Sequence, residues 1–148
     1  MFLSNGSDDI LNFSFMAFCD AERGAAFPEI SYGFYPVYAD LYHVPCIQMP
    51  LKEDFSVDYR DYCGIGKMVV IAHPNAPTGM EISISEIEEI LRSNPQNVVL
   101  IDEAYVDFGG TSCVELTKNT KTCWWCRRFQ NRALSQGQGW ALPSRTKG

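Results

Sequence analysis

Two apolar runs rich in β-branched residues, "KMVVIAHP" at 67–74 and "NVVLIDEAYVDF" at 97–108, bracket a helix-patterned segment, and that arrangement limits the fold more than any other feature. Neither run alternates apolar with polar residues, so a strand made from either must be covered on both faces. Between them, "ISISEIEEILRSNP" offers Ser-x-x-Glu pairs at Ser83/Glu86 and Ser85/Glu88, an apolar stripe of Ile84, Ile87, Ile90 and Leu91, and a stop at Pro95. These are the marks of a capped amphipathic helix. Buried strand, helix, buried strand predicts an α/β fold on a mostly parallel sheet flanked by helices.

The upstream segments extend the same alternation. "NGSDDILNFSFMAFCD" begins with cap-type residues and acids, then spaces apolar residues three to four apart with little polar face, which predicts a largely buried helix from about Ser7. "AAFP" and "CIQM" read as short strands, and "YGFYPVYADLYHV" as a second helix with Pro36 in its first turn.

Composition removes several function classes. With 148 residues, 46% of them hydrophobic, the chain suits one globular unit with a modest core. A net charge of -6 argues against a nucleic-acid partner. The longest apolar stretch, "ILNFSFMAF", is interrupted by Asn12 and Ser14 and is too short to span a bilayer. The start lacks the basic and apolar regions of a signal peptide, so a cytoplasmic location is expected. Cys19, Cys46, Cys63 and Cys113 have no regular spacing and read as reduced thiols.

In a parallel sheet the ligand lies beyond the carboxyl ends of the strands. Three stretches fall there. "SNGSDD" sets a glycine at a helix start, where N–H groups and the helix dipole can hold a phosphate. "HPNAPTG" is a turn after the first buried strand. "IDEAYVDF" ends the second with Asp102 and Glu103; a carboxylate buried there would need a cation or donors, and otherwise the pair faces solvent.

Taken in order, "NGSDD", "FPEISYGFYPVYADLY", "HPNAPTG" and "LIDEAYVDFGG" resemble the fold-type I aminotransferases that use pyridoxal 5'-phosphate, and among them the histidinol-phosphate aminotransferase family. The resemblance runs from about Phe2 to Thr122. It implies that Gly6, Ser7 and Asp8 present backbone N–H groups to the cofactor phosphate, that Tyr32 stacks on the pyridine ring, and that Asp102 pairs with the ring nitrogen. Tyr105 would hydrogen-bond the ring's phenolic oxygen. Where fold-type I enzymes more commonly have asparagine immediately before Pro-Thr-Gly, the chain has Ala76; Asn75, one residue earlier, is carried over as the matching contact. The implied reaction moves an amino group between histidinol phosphate and glutamate, with imidazole-acetol phosphate and 2-oxoglutarate as keto partners, in histidine biosynthesis. A homodimer is implied for the full-length parent, and a threonine-phosphate decarboxylase is a sister activity.

The carboxy-terminal stretch breaks this pattern. Residues 1–122 hold seven basic and eighteen acidic residues, whereas residues 123–148 hold five basic residues, no acids and all three tryptophans. The resemblance requires a Schiff-base lysine in a Phe-Ser-Lys-Ser type segment, yet after Thr122 the first lysine is Lys147. Read one base earlier, the codons of "CWWC" give Leu-Val-Val in their interior, a buried strand, and the codons that follow permit the lysine segment. Residues 1–122 are therefore expected to be a fragment of the aminotransferase large domain, without its amino-terminal arm and small domain. Residues 123–148 are expected to be an out-of-frame tail, not a domain, so no catalytic lysine is retained. The alternative is a remnant without catalysis. Cys123 and Cys126 could also be metal ligands or a redox pair, but a zinc site wants four ligands and a redox motif should open a helix after a strand.

Overall fold

A computed structural model of the chain describes residues 6–118 and 120–126. The fold follows from covering apolar strands on both faces. Five strands lie in the order β2-β1-β3-β4-β5: β1 is Ala25–Pro28, β2 Cys46–Met49, β3 Met68–Ala72, β4 Val99–Asp102 and β5 Cys123–Cys126. Every pairing is parallel. Three helices flank the sheet: α1 (Ser7–Phe18), α2 (Phe34–Leu41) and α3 (Ile84–Ser93).

Residues along each strand point alternately to opposite faces, and the two faces carry separate cores. Ala25, Phe27, Met68, Val70, Ala72 and Leu100 pack with Leu11 and Phe15 of α1 and Tyr35, Tyr38 and Ala39 of α2. Val69, Ile71, Val99 and Ile101 pack with Ile87, Ile90 and Leu91 of α3. The unbroken apolar runs of β3 and β4 are thus explained, since each strand is an inner strand with a helical layer on either side.

Local chemistry decides where the elements start. Of the two Ser-x-x-Glu pairs, the chain uses Ser83/Glu86: the Ser83 hydroxyl accepts from Glu86 N–H and the Glu86 carboxylate accepts from Ser83 N–H. Pro36 is the third residue of α2, within its first turn, where no intrahelical N–H is required. Gly24 lets β1 approach the segment before β2, because a Cβ there would sit 2.2 Å from the Pro45 carbonyl oxygen.

α1 is half-buried rather than largely buried: Leu11 and Phe15 are fully enclosed, while Met16 is 54% exposed. Only one face of the helix meets the sheet and α2, so its all-round apolar pattern exceeds what this packing encloses. No helix among the described residues is long and apolar enough to cross a membrane.

Candidate active site

The chain runs from β1 outward to β2 and then returns past β1 to β3, so the strand order reverses beside β1. A crevice opens at such a reversal, outside the carboxyl ends of the strands. The loop after β1 carries Tyr32 to that end, β4 delivers Asp102, and α1 points its amino terminus at the same place.

Asp102 is the last residue of β4, in register with Ala72 of β3 and Cys126 of β5. Its backbone carbonyl accepts from His73 N–H at 2.8 Å. Its carboxylate is only 4% exposed and takes three donors: Tyr35 Oη–H on Oδ2 at 2.9 Å, and on Oδ1 the Ala104 N–H at 3.2 Å and the Cys126 thiol at 3.5 Å. Among the described residues no ion pair reaches it. Burial raises its pKa above the usual carboxylate range, against the lowering effect of those donors. Glu103 is fully buried and turns elsewhere, accepting from Ser112 Oγ at 2.8 Å and from Cys113 N–H. Neither acid faces solvent.

Ser7 and Asp8 of α1, Tyr32, Asp102 and Tyr105 line one hollow of about 40 Å3. Its remaining walls are Ala72, Ala76 and Ala104. Gly6 precedes it at the start of α1 with φ 105°, a left-handed conformation suited to glycine. Tyr32 donates to Asp8 Oδ1 at 2.8 Å, and its ring lies 5.7 Å from that of Tyr35 at 74°. Burial, and then the hydrogen bond to Asp8, push the Tyr32 phenol above its ordinary range, so it stays a donor.

Six of the seven residues singled out from the sequence therefore meet at this end of the sheet. Asn75 is placed differently. Its amide nitrogen donates to the Ile30 carbonyl at 3.0 Å and to Thr78 Oγ1 at 3.1 Å, and it borders a larger neighbouring depression of about 530 Å3 with Phe108 and Gly110. Ala76 is the member of that turn that reaches the hollow. Sequence reasoning missed Tyr35 and Cys126 as partners of Asp102. Tyr35 lay inside a quoted stretch, but only the docking of α2 reveals which of its tyrosines turns inward.

Cys123 and Cys126 stand three apart on a strand and so face opposite ways: Cys126 joins the core of α1 and α2, and Cys123 the core of α3. That geometry rules out a joint redox or metal role for the pair. Among the described residues no lysine lines the hollow and no group of metal-ligating side chains gathers. Residues 127–148, with Lys147, lie outside the described residues.

The sequence matches the family of class I and II aminotransferases over residues 1–134. The chain belongs to that family. Among its aminotransferase relatives, the histidinol-phosphate aminotransferase of Lactococcus lactis subsp. cremoris (strain MG1363) is 53% identical over 116 residues, 78% of this chain and 33% of that protein. The enzyme of the same name from Clostridium acetobutylicum is 48% identical over 121 residues, 82% of this chain and 34% of that protein. The chain thus spans about a third of the length of the curated relatives it matches. In structure, it superposes on the histidinol-phosphate aminotransferase of Clostridium acetobutylicum with a TM-score of 0.73 at 27% identity, covering 84% of this chain and 38% of that one. L-threonine-O-3-phosphate decarboxylase from Porphyromonas gingivalis, at 20% identity and a TM-score of 0.70, covers 85% of this chain and 40% of that one and shares the fold alone.

Proposed function

We propose that residues 1–122 are a fragment of the large, cofactor-binding domain of a pyridoxal 5'-phosphate-dependent aminotransferase whose parent reaction exchanges an amino group between histidinol phosphate and 2-oxoglutarate. The observation that carries the reading is Asp102: a buried carboxylate at a strand tip, lining a hollow, with three donors and no cation among the described residues. A buried charge of this kind needs a positive partner to be stable, and a protonated pyridine nitrogen is such a partner. The names of the relatives support the substrate.

Each residue then has a task. The first-turn N–H groups at Gly6, Ser7 and Asp8 hold the phosphate at the positive end of α1. Tyr32, fixed by its bond to Asp8, forms one wall for the ring. Asp102 keeps the ring nitrogen protonated, and Tyr105 donates to the phenolic oxygen. Asn75, whose amide is engaged by Ile30 and Thr78, supports the loop that brings Ala76 to the ring. When bound, pyridoxal phosphate supplies an electron sink for the substrate carbon that loses its proton. The parent is a homodimer.

Residues 123–148 are the product of a shifted frame, and the sheet uses Cys123–Cys126 where the earlier frame reads Leu-Val-Val. With no lysine in the required segment, the chain holds the cofactor without a covalent bond and does not transaminate. Loss of the proton-transferring group alone lowers a rate by ~10²–10⁴. The test is to add pyridoxal 5'-phosphate, measure retention by equilibrium dialysis, then reduce with borohydride and analyse by mass spectrometry. Retained cofactor with no lysine adduct is expected. Absence of retention at millimolar cofactor would remove the cofactor reading, and a single-site adduct with transaminase turnover would remove the claim of inactivity.

A further inference from the structure

Asp102 has about four lone-pair positions on its two oxygens. Oδ1 is occupied twice, by Ala104 N–H and the Cys126 thiol, and Oδ2 once, by the Tyr35 hydroxyl. Among the described residues one position therefore remains without a donor, on the oxygen that Tyr35 holds, and the carboxylate lines the hollow. Tyr35 itself is fully buried, its ring braced edge-on by Phe27 at 5.7 Å and by Tyr32 at 5.7 Å. Its hydroxyl has no freedom to serve another acceptor without unpacking α2 from the sheet.

We propose that Tyr35 is a positioning residue that keeps Asp102 ionised and turns its last free lone pair toward the ring nitrogen of the cofactor. This rests on the cofactor reading above and adds the residue that makes Asp102 able to serve it. Among the described residues, the titratable groups facing Asp102 are Asp8 from α1, Tyr35 and Tyr38 from α2, Cys126 from β5, and Tyr32 and Tyr105 across the hollow, with His73 reaching it through backbone only. None is a cation, and Asp8 opposes ionisation. Among the described residues, hydrogen-bond donors are therefore all that favours the charged form of Asp102. Of the three donors, the Tyr35 phenol makes the shortest bond and the only one to Oδ2. Burial holds that phenol well above its ordinary range, so it keeps its proton where carboxylates titrate.

The experiment uses the full 148-residue chain with carboxyl-13C aspartate, assigned through Asp102→Asn, and follows the Asp102 signal against pH. Affinity for pyridoxamine 5'-phosphate, which needs no lysine, is measured by fluorescence over the same range. Tyr35→Phe keeps the ring and loses the donor, so Asp102 should titrate about one pH unit higher, the scale of one charge-assisted hydrogen bond. The acid side of the binding profile should move upward with it, while Tyr42→Phe, which loses a phenol bonded to Asn12, moves neither. In the unsubstituted chain, Tyr35 13Cζ should show a step at the pH where Asp102 titrates; this reading survives even if Tyr35→Phe does not fold. An unchanged Asp102 titration in folded Tyr35→Phe, or no step at Tyr35, overturns the proposal. Failure of the unsubstituted chain to bind pyridoxamine 5'-phosphate at any pH overturns the cofactor reading instead, and leaves the carboxyl titration to decide the role of Tyr35.

Discussion

At the scale of single residues, the site is maintained against its own stability. Asp102 is ionisable, buried and without a cation, and its pKa is raised by burial from 3.8. A carboxyl that holds its proton longer in the folded state than in the unfolded one favours the fold at low pH, and that advantage is lost as pH climbs from 3.8 through the raised value. Asp102→Asn removes this dependence while Tyr35 still has an oxygen to donate to. The substituted chain should melt higher than the original at pH 7, by about 2–4 °C for each kcal/mol recovered, and the gap should shrink toward pH 4. Paired thermal melts at the two pH values check it, and a gap that widens on acidification would contradict it. The same substitution should weaken binding of pyridoxamine 5'-phosphate. The need for donors at Asp102 was legible in the sequence, because a carboxylate that ends an apolar strand is expensive to bury. Their identity was not, since Tyr35 is 67 residues away and Cys126 is 24 away, and only packing brings them together.

At the scale of elements, local signals were mostly sufficient. α3 begins where Ser83 and Glu86 exchange hydrogen bonds with each other's backbone, and Ser83→Ala should lower stability by about 1 kcal/mol, measured as a shift of the urea midpoint at constant m. No change would mean that burial of Ile87, Ile90 and Leu91 alone holds the helix. The second pair, Ser85/Glu88, looked equivalent in sequence, and the position of Ile84 against the core of α3 selected between them. For α1 the pattern misled: a helix apolar on nearly all sides reads as enclosed, yet the described elements cover one face. Cys123 and Cys126 give the opposite lesson. Their spacing fits a metal or redox pair on a turn or helix, and it is the strand conformation that sends them to opposite faces.

At the scale of the whole molecule, two cores on one parallel sheet make the inner strands secure and leave β2 as an edge. Among the described residues β2 pairs only with β1, and its Ile47 is 39% exposed. Open edges of this type pair with other chains, so the protein should associate as its concentration rises, and Ile47→Lys should reduce that association. Light scattering across a concentration series checks this, and equal association of both chains would exclude β2 as the contact. The residues at the carboxyl end of the sheet were named through the family resemblance, whereas the α/β class, strands β1–β4 and helices α1–α3 were set by the sequence itself. Those properties come from periodicity, caps and strand ends, all of which act over a few residues. Tertiary structure alone decided how Asp102 is held, how the Asn75 amide is engaged by Ile30 and Thr78, and how the thiols of β5 are divided between two cores. Such outcomes depend on which side chains from distant segments meet across the sheet, and separation along a chain carries no information about that.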